Sequence, residues 1–190
     1  ATSSVGAVVV APSNPDIVYI GMGETELRGN IAQGDGVYKS TDAGGTWANM
    51  GLNESERIVR ILVHPKNGDV VYACVPGKLW SDSADRGLYK TVDGGKSWTP
   101  IKGAPGGDDY HELWIDPDDP RRLIDGSDGG AAVSLDGGET WSRQDINQPT
   151  AQFYHVTVDN RFPYRVYGPQ QDNSSVAVAS RSDWGTITER

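Results

Sequence analysis

An acid, glycines and a hydroxyl recur at fixed spacing three times in this chain. The copies read STDAGGTW at residues 40–47, TVDGGKSW at 91–98 and SLDGGETW at 134–141. An acid beside a hydroxyl is the raw material of nucleophilic or acid–base chemistry. The same residues also make a folding device. Asp accepts hydrogen bonds from nearby backbone N–H groups and closes an Asx-type turn, while Gly supplies positive φ.

The elements around the motif separate these readings, because the chain is repetitive. VGAVVVAPSNPDIVYIG (5–21), IVRILVHPKNGDVVYAC (58–74), HELWIDPDDPRRLIDG (111–126) and YHVTVDNRFPYRVYG (154–168) each read as apolar strand, turn, apolar strand. Pro12, Pro65, Pro117 and Asn160 occupy equivalent positions, with spacings of 53, 52 and 43. In the first three units a third strand follows (GVYKST, GLYKTV or GAAVSL), then the Asp motif and a fourth strand beginning at Trp. Alternation such as Val37/Lys39 and Leu88/Lys90 fits strands with one face more buried than the other. Four short antiparallel strands repeated every 40–50 residues predict an all-β chain of β-propeller blades. The units run about 1–53, 54–103, 104–147 and 148–190. The fourth has no Asp motif, so the chain is expected to form either a small four-bladed ring or part of a larger one.

Antiparallel order within a blade puts the third-to-fourth turn, and so every Asp motif, at one end. Three copies spread around a ring cannot converge on one substrate. Asp42, Asp93 and Asp136, with Gly44, Gly95 and Gly138, are therefore expected to shape turns, and Trp47, Trp98 and Trp141 to anchor them between blades.

The motif resembles the Asp-box, or BNR repeat, of sialidases, xyloglucanase-type glycoside hydrolases and the propeller of sortilin and other Vps10-domain receptors. GVYKSTDAGGTW, LWIDPDDPRRLIDGSDGGAAVSLDGGETW and NQPTAQFYHVTVDNRFPYRVYGPQQDNS are similar to bacterial sortilin-like BNR-repeat proteins labelled glycosyl hydrolases. Members of that group are longer, with more blades. The resemblance implies either a binding propeller or a glycoside hydrolase. Sialidase chemistry, which that family performs with three arginines and a Tyr–Glu pair, is not expected: the loops at the other end of the blades are poor in arginine.

Those loops carry the remaining candidates. A glycosidase needs two carboxylates across the scissile bond, and Glu112 with Asp128 is the first choice, with Glu24 or Asp172 as substitutes. Trp80 offers a ring for stacking on a sugar. His111, His155, Gln171, Asp172 and Asn173 complete a polar binding face; the two histidines are expected to hydrogen-bond at the channel mouth, with a shared transition metal as the alternative. GGDDYHE and PQQDNSS hold oxygen ligands of the kind Ca²⁺ takes, without the spacing of a defined Ca²⁺ loop. The favoured expectation is a non-catalytic platform for a protein, peptide or glycan, able to join a larger assembly; the alternative is a secreted xyloglucanase-like hydrolase.

Composition bounds these readings. The net charge of −9 and the lack of any basic run argue against nucleic-acid binding. No apolar run approaches the length of a membrane span. Cys74, the one cysteine, excludes an internal disulfide and sits among apolar neighbours as a core residue does. The acidic balance suits a secreted or periplasmic protein, and the opening ATSSVG suits either a processed end or an arbitrary boundary.

Overall fold

A computed structural model describes residues 4–26, 30–103, 110–127, 130–142, 153–170 and 173–181. All regular elements among them are β-strands. They divide between two compact units, residues 1–146 and 147–190.

The first unit holds three consecutive antiparallel sheets. The first is β1 (Val5–Val10), β2 (Val18–Met22), β3 (Val37–Ser40) and β4 (Ala48–Asn49). The second is β5 (Arg60–His64), β6 (Asn67–Val75), β7 (Gly87–Thr91) and β8 (Thr99–Lys102). The third pairs β9 (Tyr110–Ile115), β10 (Leu123–Ser127) and β11 (Gly130–Ser134). Here the expected fourth strand is visible only at its start, where the Ser142 amide donates to the Val133 carbonyl at 2.9 Å. The second unit is a three-stranded sheet of β12 (Thr157–Val158), β13 (Arg165–Gln170) and β14 (Asn173–Ala179). Among the described residues two sheets thus have the four strands expected of a blade and two have three. Each sheet follows strand order in space, as an up-and-down blade requires. The first strands β1, β5 and β9 neighbour one another in series, which is how successive blades meet.

Register explains what holds the blades together. Pairing aligns Val9–Tyr19–Lys39 across the first sheet, Leu62–Tyr72–Lys90 across the second and Trp114–Ile124–Val133 across the third. With period-2 alternation these three rows occupy the same face of each blade. Tyr19 donates its hydroxyl proton to the Gly68 carbonyl of the second blade at 2.9 Å. Lys39 lies over the Tyr19 ring and pairs with Asp69 of that blade at 2.9 Å. One blade on, Lys90 lies over the Tyr72 ring and donates to the Gly137 carbonyl of the third blade at 2.8 Å. Gly94 borders this device: its φ of +75° favours glycine, and a Cβ there would stand 2.6 Å from Lys39 Nζ, which would have to shift. The equivalent position in the first blade's own turn is Ala43, at φ 55°.

Two apolar clusters fill the spaces between blades. Tyr19, Val37, Ile58, Ile61, Val63, Val71, Ala73, Val75 and Tyr89 lie between the first and second. Tyr72, Cys74, Leu88, Tyr110, Leu113, Ile115 and Leu123 lie between the second and third. Each fully buried Leu or Val contributes about 1.5–3 kcal/mol, so the unit is stabilised by blade-on-blade packing more than by any single sheet. Burial also pushes the Cys74 thiol well up from its ordinary pKa, with Asp125 and Glu112 adding to the effect. Native protein is expected not to react with a thiol reagent at neutral pH, and to react once unfolded. Prompt labelling of the native state would contradict this packing.

Candidate functional site

The repeated motif builds the same hydrogen-bonded loop three times. In the first, Ser40 Oγ donates to Asp42 Oδ1 at 2.7 Å and accepts from the Gly44 amide at 2.8 Å. Asp42 Oδ1 accepts from the Thr46 amide and Oδ2 from the Thr46 hydroxyl, at 2.8 and 2.7 Å. Thr91, Asp93, Gly95 and Ser97 repeat this set, and so do Ser134, Asp136, Gly138 and Thr140. Both oxygens of each carboxylate are therefore engaged within its own loop.

These bonds favour the ionised form. The Thr46 amide, then the Thr46 and Ser40 hydroxyls, lower Asp42 to about 2. Thr140 and Ser134 lower Asp136 to about 2, and Ser97 and Thr91 hold Asp93 well below the carboxylate range. A carboxylate with a depressed folded-state pKa contributes stability above its unfolded value of about 3.9, which is lost as pH falls through the folded value. Melting temperature is thus expected to drop between about pH 4 and about pH 2, and Asp136→Ala is expected to lower it at neutral pH but not at the acid end. An equal loss at both pH values would contradict the assignment.

The tryptophans differ by neighbour. Trp98 donates its indole proton to the Met50 carbonyl of the preceding blade at 2.7 Å and packs on the first cluster. Trp141 bonds within its own loop, to the Gly138 carbonyl at 3.2 Å, and packs on the second cluster. Trp47 is 41% exposed.

At the opposite end of the blades, Glu24 turns its carboxylate onto the Ala32 amide at 3.0 Å and so closes its own loop. Glu112, near the start of β9, forms an ion pair with Arg60 of β5 at 2.9 Å. His111 precedes it and is exposed. Trp80, 78% exposed, stands on the loop between β6 and β7. That loop is organised by two cations: Arg57 Nε donates to the Gly77 carbonyl, and Arg86 to the carbonyls of Pro76 and Lys78. Asp128, Gln171 and Asp172 lie outside the described residues. Asn173 begins β14, and nothing is described of its side chain. In the second unit His155 lines a hollow of about 260 Å³ with Tyr167, Pro169 and Val176. Among the described residues no group of three or more His, Cys, Asp or Glu side chains is placed to hold a metal ion, and most of GGDDYHE and part of PQQDNSS lie outside them.

Three polar features had no signal in the repeat pattern. Asp125 is fully buried between the second and third blades, 3.0 Å from Lys102, whose ammonium lies 4.9 Å from the Tyr110 ring and 5.8 Å from that of Trp141. By register Asp125 stands where the second blade has Ala73, so only the spatial partner explains it. Asp159 in the second unit accepts from the amides of Arg161 and Arg165 and from the Tyr167 hydroxyl, fixing the turn before β13. Ser55 is the third, a buried hydroxyl in the link between the first two blades.

A family model described as "Sortilin, neurotensin receptor 3" matches residues 35–186. The chain belongs to the Sortilin-Vps10 family. Solved structures share its fold. A GH74 xyloglucanase from Xanthomonas campestris superposes with a TM-score of 0.60 at 18% identity, over 98% of this chain and 30% of that one. YCF48 from Cyanidioschyzon merolae superposes with a TM-score of 0.57 at 16% identity, over 99% of this chain and 57% of that one. Both likenesses concern the fold. In sequence, a probable oligoxyloglucan-reducing end-specific xyloglucanase from Neosartorya fischeri is 34% identical over 77 residues, covering 37% of this chain and 8% of the relative. The Sortilin-Vps10 chain thus corresponds to part of larger propellers. Among its described residues no helix is long and apolar enough to cross a membrane.

Proposed function

We propose that this Sortilin-Vps10 chain is a non-catalytic, exported binding platform for a protein, peptide or glycan, held at the end of the blades opposite the Asp-boxes. The observation that supports this reading is the engagement of the candidate acids among the described residues. The repeated aspartates are bound into their own loops, Glu24 closes its loop, and Glu112 is tied to Arg60, while Trp80 is left in solvent. An indole 78% exposed suits recognition of a ligand.

An array of short peptides and glycans tests this. Trp80→Ala is expected to remove binding of the retained ligands, while Asp118→Ala, in the turn at the Asp-box end, leaves it unchanged. Binding indifferent to Trp80 and to the loops beside it would overturn the placement. The exposed Val8 and Val10 of β1 fit a further part of the proposal, a larger ring in which another Asp-box blade covers them. A native particle larger than one chain is expected; a stable 20.4 kDa particle would contradict it.

A second reading, a glycoside hydrolase using Glu112 and Asp128, draws on the 34% identity to a xyloglucanase over 77 residues.

A further inference from the structure

The link between the first and second blades and the loop after β6 enclose a half-open cavity of about 180 Å³, lined by Leu52, Asn53, Glu54, Ser55, Val75 and Asp85. Antiparallel pairing places both segments at the end opposite the Asp-boxes, because the link enters the start of β5 where β6 finishes. Two lining residues are acids and none is a cation. Of the cations on these two segments, Arg57 and Arg86 are directed to the carbonyls of Gly77, Pro76 and Lys78, and neither they nor the Lys78 side chain lines the cavity. Ser55 is 1% exposed, and its Oγ has no hydrogen-bond partner. A buried hydroxyl without a partner is costly, and here it belongs to a wall that already carries two carboxylates and an amide.

We propose that this cavity receives a single basic side chain, lysine or arginine, from a protein partner. The proposal rests on the platform reading above and names the chemistry it recognises. The cavity has two kinds of wall, as such a side chain has two parts. Leu52 and Val75 suit the aliphatic stem, while Glu54, Asp85, the Asn53 carbonyl oxygen and Ser55 Oγ accept hydrogen bonds from the charged head. A bare Ca²⁺ fits less well, since it requires six to eight oxygens at about 2.3–2.6 Å and gains nothing from aliphatic walls. The overall charge of −9 favours approach of a basic partner.

The test uses blocked decapeptides that differ at one central residue (lysine, arginine, acetyl-lysine or norleucine), with binding read by fluorescence polarisation. Lysine and arginine peptides are expected to bind at least about tenfold more tightly than the neutral pair, with the advantage shrinking as salt rises. Asp85→Asn and Glu54→Gln should each remove most of that advantage. Ser55→Ala should weaken the basic peptides a few-fold without lowering melting temperature, because the hydroxyl has no partner inside the fold. Equal binding of lysine and acetyl-lysine peptides would overturn the proposal, as would indifference to all three substitutions. So would displacement of the basic peptides by micromolar Ca²⁺ through the same residues, which would mark the cavity as a metal site. Free lysine amide competing as well as the peptides would reassign it to a small amine. If neutral peptides or glycans bind in a Trp80-dependent way, the platform reading stands and only the basic-side-chain proposal fails.

Discussion

Asp125→Leu is expected to destabilise the first unit by about 3–5 kcal/mol, because it leaves the Lys102 ammonium in a buried site without its carboxylate. The pair is 3.0 Å apart, with Asp125 fully buried and the Lys102 side chain 11% exposed. Desolvating two charges offsets most of their attraction, so the pair itself contributes little net stability. Breaking one side is what costs. The double variant Lys102→Met, Asp125→Leu is therefore expected to be as stable as the parent or more so. Denaturant midpoints of the three proteins decide it. A single variant as stable as the parent would mean that Lys102 reaches solvent in its absence and that the blade interface is looser than described.

Trp98→Ala is expected to cost about 3 kcal/mol, against less than about 1 kcal/mol for Trp47→Ala. The two residues hold the same place in the same motif, so local loop effects cancel in the comparison. What differs is the neighbour. Trp98 reaches back to the Met50 carbonyl and packs on the first cluster, whereas Trp47 is 41% exposed. Equal losses would mean that the indole acts within its own loop, leaving the Tyr19–Lys39 and Tyr72–Lys90 devices to join the blades.

The repeat was legible because blade geometry is written locally. Alternating apolar residues mark each strand, and the Asp, Gly and hydroxyl that close a turn lie within eight residues of one another. Register follows from the same alternation, so Tyr19 and Tyr72 occupy matching positions. Partners from different blades are not written locally. Nothing near Asp125 in the sequence points to Lys102, and Glu112 looks like a free acid until β5 brings Arg60 beside it. Ser55 is ordinary as sequence and becomes notable only when its hydroxyl is buried in a lined cavity. The placement of candidates at one end came from strand parity alone. Which of them are engaged depends on distances that no spacing rule contains.

The central proposal is that the acids of this Sortilin-Vps10 chain serve architecture and recognition rather than bond cleavage. The most direct measurement is the release of reducing ends from xyloglucan by the parent protein, Glu112→Gln and Asp128→Asn. The account predicts no release above background from any of the three. Release by the parent that is abolished in either variant would contradict it and establish the hydrolase reading instead.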